Sequence, residues 1–383
     1  MTRIARLNVP TNTVAALRRG HPWVFRDRPW RAGVGDVVNI ADDDDRVVAW
    51  GLFDDGPIAI RVLGRGAAPT SPGADIAGRI VRGHRFRREL LGPDTNAFRV
   101  IAGEGDGLSG LVVDRYDALA VVRLYGRCWE PWLGEVVGAL AQIEGITTVY
   151  RRFGVDRVDG KKGGETLHGA APADAIVVEE HGMRLLVRPQ VGQKTGLFLD
   201  QREHRRQIRG WSRGRDVANL FAYNGGFSVA AALGGATRVV SVDIAPDAIE
   251  DAKENFRLNG LDPSGHGFEV TDAFTWRSPA PLGLLIVDPP SLSHDKGRDT
   301  VARRAYEKLH AHVGPQVAVD GLLATSSCTA RLPIAAWIEA VEAGLPGSWS
   351  WHAVSREPLD HPIAAGHVEG SYLKFGLLRR RAI

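Results

Sequence analysis

Cysteine is scarce in this sequence: Cys128 and Cys328 are the two cysteines among 383 residues, and they lie far apart in the chain. Two such residues cannot build the disulfide framework of a small secreted protein, and they offer too few thiolates for a cysteine-based metal cluster. This usage is typical of a reducing compartment. We therefore predict a cytoplasmic protein without a metal site.

Long apolar runs are also missing. No run approaches the roughly 20 residues that a membrane-spanning helix needs, and the opening residues Met1–Arg6 lack the apolar core of a secretory signal. The apolar fraction of 44% and the charged fraction of 24% are those of a globular protein. The sequence predicts a globular protein with no membrane partner, long enough for two or three domains.

A third absence concerns nucleotide binding. The stretch Asp216–Asp243 has the pattern of a strand, a glycine turn at Asn224–Gly226, a helix and a second strand that ends in Asp243. Glycine lets another group approach the backbone, and a strand-end acid can accept hydrogen bonds from ribose hydroxyls. The G-x-G-x-x-G motif that seats a pyrophosphate is absent. The pattern favours a nucleoside without phosphates, such as S-adenosylmethionine (SAM), over a nicotinamide dinucleotide; an ordinary strand–turn–helix unit is the alternative.

Three regions of different composition divide the chain. Residues 1–70 carry short β-branched strands separated by Gly, Asp and Pro, which predicts a small β-barrel. A Gly- and Pro-rich linker at Gly64–Gly73 precedes an α+β section over residues 74–188. From 189 to 383 strands and helices alternate, which predicts an α/β doubly wound sheet. The last two strands have no helix between them, so we expect an antiparallel pair at one edge.

The net charge of +3 is small, but basic residues are concentrated near the N-terminus, where Asp27 is the one opposing acid between Arg3 and Arg31. The cluster includes Arg18, Arg19, His21 and Arg26. Basic clusters are electrostatic footprints of nucleic-acid binding. A solvated basic face is the alternative, and the same two interpretations apply to a second basic run at Arg79–Arg88.

Polar residues follow four predicted strands of the α/β region. They are Asp243, Asp272, Asp288 and Cys328. Ligands of a doubly wound sheet bind at the carboxyl ends of its strands. Each residue alone has a plain interpretation as a loop acid or a buried thiol. Their shared position in one domain favours a functional site.

Asp288 and Cys328 indicate a particular chemistry. Asp288 precedes Pro289–Pro290, which stiffen the turn and lack backbone donors; such turns hold a flat nitrogen base in methyltransferases, and a plain turn is the alternative. Most lone cysteines are structural, but a thiolate that adds to carbon 6 of a pyrimidine makes carbon 5 enamine-like and able to accept a methyl group. Asp288 would then hydrogen-bond the pyrimidine edge. The target base would have to be unpaired or flipped out of a helix.

Several motifs together resemble one family over nearly the whole length. They are Gly20–Phe25, Gly35–Val38, Asn96–Arg99, Gly103–Leu108, Lys194–Gly196, Leu199–Arg202, Asn219–Phe227, Asp360–Pro362 and Glu369–Lys374. The chain resembles the bacterial ribosomal RNA cytosine-5 methyltransferases that carry an N-terminal PUA domain, the RlmI-like family. The resemblance implies a class I SAM-dependent methyltransferase with a Rossmann-like sheet. It also implies a PUA domain that grips RNA and large-subunit ribosomal RNA as the partner.

The resemblance also implies roles for single residues. Cys328 would be the nucleophile, and Lys194 would join the N-terminal basic cluster in contacting RNA. The SAM site would be lined by Asp200, Phe221, Asn224, Gly225, Asp243, Asp272 and Asp288. A homodimer is a candidate assembly.

Two departures from the family pattern leave alternatives open. The family usually has a basic residue after the D-P-P turn, where this chain has Ser291–His294. No second cysteine accompanies Asp288, so the group that removes the carbon-5 proton is open, and water is one candidate. The alternatives are methylation of another RNA base, such as guanine N7, which needs no cysteine, and a non-catalytic RNA-binding or ribosome-assembly factor.

Overall fold

The computed structural model describes residues 4–160, 162–292 and 299–382. The chain divides into two compact units, each built from several segments. The first unit comprises Met1–Glu179, Val187–Leu199 and Leu359–Gly370, and the second comprises Glu180–Leu186, Asp200–Pro358 and Ser371–Ile383. The three-domain division at 70–74 and 188–189 stays a prediction.

The first unit opens with a small β structure. Its elements are β1 (Ala5–Asn8), α1 (Thr11–Arg18), β2 (Trp23–Phe25), β3 (Val37–Ala41), β4 (Val47–Phe53) and β5 (Ile58–Arg65). The sheet order is β1-β3-β4-β5-β2. Gly64 lies in this sheet opposite Trp50, where a Cβ would come within 2.4 Å of the indole nitrogen. The predicted linker at Gly64–Gly73 is therefore too long, because this glycine makes room for a tryptophan rather than a flexible connection.

The rest of the first unit is an α+β layer. Its elements are α2 (Pro72–Leu90), β6 (Ala97–Ala102), β7 (Leu111–Tyr116), β8 (Leu119–Leu124), α3 (Leu133–Ala141), β9 (Thr148–Arg152), α4 (Asp156–Asp159), β10 (Gly164–His168) and β11 (Ile176–Glu180). The sheet order is β10-β9-β8-β7-β6. Ile80 of α2 and Trp129 are fully buried in its core. Helices α2 and α3 therefore cover this sheet with their apolar faces.

The second unit holds the α/β sheet. Its elements are β12 (Met183–Val187), α5 (Arg202–Trp211), β13 (Asp216–Leu220), α6 (Gly226–Leu233), β14 (Arg238–Asp243), α7 (Pro246–Leu258), β15 (Gly267–Val270), β16 (Leu282–Val287), α8 (Asp299–Val313), β17 (Val317–Ser327), α9 (Ile334–Gly344), β18 (Trp349–Ser355) and β19 (Lys374–Arg380). The main sheet has the order β15-β14-β13-β16-β17-β19-β18. Strands β13 to β17 pair in parallel, while β19 pairs antiparallel with β17 and β18. The predicted doubly wound sheet with an antiparallel edge is confirmed.

The strand order places a crevice at a defined point. Strand β13 lies between β14 and β16, so the chain winds one way from β13 and then returns to its other side. The carboxyl ends of parallel strands at such a reversal form a crevice where ligands bind. Strand β16 is almost entirely buried, as expected for a strand covered on both faces. Within the described residues, every helix is too short or too polar to cross a bilayer.

Candidate active site

The turn after β13 has an unusual backbone. Phe221 and Tyr223 have positive φ angles of 61° and 48°, which L side chains rarely adopt and which cost about 1–3 kcal/mol each. The Asp243 carboxylate compensates, because its Oδ2 accepts the Tyr223 amide at 2.8 Å. Ala222 N also donates to Val242 O of the next strand at 2.9 Å. The strand-end acid therefore fixes the shape of the turn.

Gly225 and Asn224 complete this turn. Gly225 has φ 74°, and a Cβ there would come within 2.7 Å of the Ala252 methyl group on α7. The Asn224 side chain is buried and its Nδ2 donates to Leu186 O at 3.2 Å, while its backbone carbonyl accepts from Asn255 Nδ2 at 2.7 Å. The structure thus places Asn224 in the support of the turn. Its contact with SAM stays a prediction.

An apolar surface lies beside two strand-end acids. Asp243 is half-buried and is followed by Ile244, whose side chain is 73% exposed. Asp272 is exposed and its Oδ1 accepts the amide of Phe274, which is itself 43% exposed. The rings of Phe274 and Phe221 lie 5.0 Å apart in an edge-to-face arrangement. Carboxylates beside exposed apolar side chains fit the ribose hydroxyls and flat ring of an adenosine.

Sequence reasoning missed Ile244 and Phe274. The available signal was a large apolar residue directly after, or two residues after, a strand-end acid. Single exposed apolar residues are common on protein surfaces, so only their position beside two strand-end acids distinguishes Ile244 and Phe274.

Asp288, at the end of β16, is held by a hydrogen-bond network. The Ser326 hydroxyl donates to Asp288 Oδ1, and Gln201 Nε2 donates to the same oxygen at 3.0 Å. Gln201 Oε1 accepts from His204 Nδ1 at 2.5 Å, and His204 Nε2 accepts the Ser355 hydroxyl at 3.0 Å. Burial lowers the pKa of His204 to about 4, so its ring is neutral and this arrangement of donors is fixed. The network orients the Asp288 carboxylate.

Asp200 directly precedes Gln201, a member of this network, in the sequence. Its side chain is buried, and the Tyr372 hydroxyl donates to Asp200 Oδ2 at 2.6 Å. Both Asp200 and Gln201 belong to a short 3-10 helix, Leu199–Gln201, that leads into α5. A hydrogen-bonded buried carboxylate is a rigid feature of the site. Its contact with SAM stays a prediction.

Cys328 follows β17 and is half-buried, with Lys374 of β19 nearby. The Lys374 side chain is buried, and its ammonium donates to Thr329 O at 2.6 Å and to Tyr372 O at 3.1 Å. Burial lowers the pKa of Lys374 to about 8, while the Glu357 carboxylate and the Cys328 sulfur oppose this shift. A positive charge therefore lies close to the thiol, an arrangement that favours the thiolate. Sequence reasoning missed Lys374.

Asp288 and Cys328 lie at the same end of neighbouring strands. Val287 pairs with Thr325 in the parallel register of β16 and β17. The pKa of the Tyr306 phenol is raised to about 12, chiefly by burial; hydrogen bonds with Ser327 and Thr329 oppose the shift, and the charges of Cys328 and Asp288 contribute to it. Both groups are thus near one phenol, although they are distant in the sequence. Neither cysteine of the chain forms a disulfide in the described structure.

The predicted RNA-contacting residues belong to the first unit. Arg18 and Arg19 are exposed at the end of α1. Arg26 donates to Gly56 O at 3.1 Å and His21 Nδ1 lies 3.0 Å from Trp23 O. The Lys194 ammonium lies 4.5 Å from the centre of the Phe198 ring. His294, in the segment after the D-P-P turn, lies outside the described residues.

Comparisons with known proteins identify the family. A family model described as S-adenosylmethionine-dependent methyltransferase matches residues 147–339, and one described as PUA-like domain matches residues 7–65. A ribosomal RNA large subunit methyltransferase from Deinococcus radiodurans is 36% identical over 392 residues, which cover 96% of each chain. Ribosomal RNA large subunit methyltransferase I from Escherichia coli is 31% identical over 387 residues, 96% of this chain and 98% of the other. The chain belongs to the ribosomal RNA large subunit methyltransferase I family.

Solved structures agree with the fold of this methyltransferase. A protein from Streptococcus mutans, assigned as a SAM-dependent methyltransferase, superposes with a TM-score of 0.85 at 23% identity and covers 98% of this chain and 100% of its own. A second structure, assigned as a methyltransferase and solved with S-adenosylhomocysteine bound, gives a TM-score of 0.87 with the same identity and coverage. The matched family models, together with these folds, confirm the α/β methyltransferase sheet, the PUA-like β domain and SAM dependence.

Proposed function

We propose that this methyltransferase methylates carbon 5 of a cytosine in large-subunit ribosomal RNA through a covalent bond between Cys328 and the base. The observation that carries the proposal is the half-buried Cys328 thiol beside the buried Lys374 ammonium, on the strand next to the oriented Asp288 carboxylate. The names of the relatives at 36% and 31% identity support large-subunit ribosomal RNA as the substrate.

The residues of the site carry the steps of this reaction. The Cys328 thiolate adds to carbon 6 of the cytosine, and the ring electrons shift toward carbon 5. Asp288, protonated when the base enters the site, transfers its carboxyl proton to N3, which neutralises the charge that the addition places on the ring, and takes the proton back when the thiolate leaves. SAM, when bound, would supply the methyl group for the new bond to carbon 5 and would leave as S-adenosylhomocysteine once its sulfur–methyl bond is broken. A base then takes the carbon-5 proton, and the thiolate leaves carbon 6 as the double bond reforms.

SAM binding is assigned to the carboxyl ends of β13, β14 and β15. Asp243 would accept hydrogen bonds from the ribose hydroxyls. Its half-buried carboxylate accepts two backbone N–H groups, those of Tyr223 and Ala245, and has further lone pairs that these two hydrogen bonds do not use. Ile244, Phe274 and Phe221 would cover the adenine faces. Arg18, Arg19, His21, Arg26 and Lys194 are proposed to contact RNA, and a homodimer stays a prediction.

Replacing Asp243 with Asn weakens SAM binding. A charged acceptor for the ribose becomes a neutral one, and a hydrogen bond to a charged group contributes about 1.5–3 kcal/mol, so we expect the dissociation constant to rise about tenfold to a hundredfold. Titration calorimetry measures it directly. Asp320→Asn is the matched control, since this exposed acid lies near the start of β17, at the opposite end of the parallel strands, and should leave the constant unchanged. Equal SAM affinity of Asp243→Asn and the wild type would remove Asp243 from the binding site.

Replacing Lys374 with Met moves the pH profile of the reaction. The ammonium is present below about pH 8 and is lost as the pH rises through that value, so at neutral pH it stabilises the thiolate. Without it the pKa of Cys328 rises, and the acidic limb of kcat/KM for RNA should move up by about one pH unit or more. Lys374→Arg, which keeps the charge, should stay closer to the wild type. Superimposable profiles for Lys374→Met and the wild type would exclude this role.

Bisulfite mapping of ribosomal RNA tests the proposed product. We expect one cytosine of the large-subunit RNA to resist conversion in the parent strain and to convert in a strain that lacks the gene. A plasmid copy of the wild type should restore resistance, and a Cys328→Ala copy should not. If every cytosine converts alike in both strains while a guanine N7 methyl group disappears on deletion, the enzyme methylates guanine instead.

A further inference from the structure

A cavity of about 300 Å³ lies in the α+β layer of the first unit. Its walls are formed by His84, Arg88, Pro93, Asn96, Arg115 and Glu144. His84 and Arg88 are four residues apart on α2 and therefore share one face of the helix. Arg115 projects from β7, and Glu144 follows α3. Three separate elements of the layer thus contribute to one cavity.

The basic side chains of this cavity are held in place. Arg115 Nη1 donates to His84 Nε2 at 2.7 Å, and Arg115 Nε donates to Asp117 O at 2.7 Å. Arg88 donates to Thr95 O at 2.8 Å, and its guanidinium lies 5.8 Å from the centre of the Phe98 ring. Each guanidinium has five N–H donors, more than these contacts use. The cavity is therefore lined by oriented donors.

Arg88 and Arg115 place two positive charges near one another in this cavity. Over residues 4–160, 162–292 and 299–382, no ion pair joins Arg88 or Arg115 to a carboxylate. Glu144 of the cavity wall and Asp117, whose charge acts on Arg115, are both exposed to solvent. The pKa of His84 is lowered to about 4, chiefly by burial and in smaller part by the charges of Arg115 and Arg88. Burial and the neighbouring Arg88 also lower the pKa of Arg115, which Asp117 opposes. An anion in the cavity would relieve this repulsion.

We infer that this cavity binds a phosphate group of an RNA backbone. Two guanidinium groups from different elements match the oxygens of a phosphate, the geometry in which arginine is the preferred partner. An anion held by the two guanidinium groups would also offset their charges at His84 and so favour the uptake of a proton by its imidazole. The choice of RNA as the source of the phosphate rests on the proposed ribosomal RNA substrate, whereas the site itself does not depend on cytosine chemistry.

An RNA without cytosine cannot undergo the proposed reaction, so its binding tests the phosphate site independently of that reaction. We would measure fluorescence anisotropy of the full-length protein with a labelled single strand of A, G and U, as a function of salt. Arg88→Gln and Arg115→Gln should weaken binding about threefold to tenfold and reduce the salt slope by about 1 each. Arg46→Gln, beside Asp44 in an acidic turn, is the matched control and should bind as the wild type does. Melting temperatures show whether each variant is folded.

A second variant is expected to bind RNA more tightly than the wild type. Glu144→Gln removes the rim carboxylate from an exposed position, so it should tighten RNA binding about twofold, an effect that misfolding cannot produce. Sulfate has no titratable proton near pH 5.5, so any proton taken up when it binds is taken up by the protein. We expect sulfate binding to the wild type to be accompanied by proton uptake, and binding to His84→Phe to proceed without it. Equal RNA affinity and equal salt slope across all these variants would overturn the inference. Sulfate binding that the variants weaken, with RNA binding unchanged, would overturn RNA as the source of the phosphate.

Discussion

Cys328→Ala is expected to lose methyl transfer by about 10⁴-fold or more while it binds SAM with wild-type affinity. The reason is chemical: without addition at carbon 6, carbon 5 of cytosine has too little electron density to attack a sulfonium methyl group. Cys328 follows β17, whereas Asp243 and Ile244 lie at the end of β14 and Phe274 follows β15, and β13 and β16 separate these two strands from β17 in the sheet. The SAM site should therefore be unaffected by this substitution. Single-turnover methylation of ribosomal RNA and calorimetry with SAM measure the two effects separately.

The second cysteine supplies the control for this variant. Cys128 is fully buried in the core of the first unit, and burial raises the pKa of its thiol well above the usual value. A buried thiol of this kind is inert, so Cys128→Ala should retain methyl transfer apart from any loss of stability. If Cys328→Ala methylates RNA as fast as Cys128→Ala does, the covalent scheme is wrong.

Asp288→Asn is expected to lower kcat by about 10²–10³-fold, as the loss of one group that stabilises transition-state charge typically does. An amide fills the same space and its oxygen still accepts hydrogen bonds from Gln201 and Ser326, but it has no acidic proton to transfer to N3 of the base. The effect should lie in kcat rather than in RNA affinity, because the charge develops only on addition. Single-turnover rates at saturating RNA and SAM measure it.

Ser326→Ala is the matched control for Asp288. It removes the hydroxyl that donates to the carboxylate but leaves the charge, so we expect a loss of about tenfold or less. A wild-type kcat for Asp288→Asn would show that the carboxylate neither holds the proton nor stabilises the addition.

Strand-end positions could be predicted from the sequence because the rule behind them is local. Alternating helices and apolar runs predicted parallel strands, and the residues that follow those runs, Asp243, Asp288 and Cys328, lie at the carboxyl ends as expected. The final antiparallel pair followed from the missing helix between its strands. These features depend on short stretches of chain, where periodicity and glycine turns carry the signal.

Residues brought in by long-range pairing could not be predicted. Lys374 reaches Cys328 through the antiparallel register in which it pairs with Ser327, and a single lysine in a sequence is normally exposed. Gln201 reaches Asp288 across 87 positions. The cavity at Arg88 and Arg115 joins a helix and a strand whose relative placement no local pattern specifies. In each case tertiary packing, rather than local propensity, determines the neighbour.

Trapping of the covalent adduct tests the central claim most directly. In RNA that carries 5-fluorocytidine at the target, fluorine replaces the proton that must leave carbon 5, so elimination of the thiolate stops after methyl transfer. We predict a denaturation-resistant protein–RNA complex that requires SAM, has the RNA attached at Cys328 by peptide mass spectrometry, and is absent from Cys328→Ala. Failure to trap any complex, in a preparation that methylates the unmodified RNA, would contradict the account.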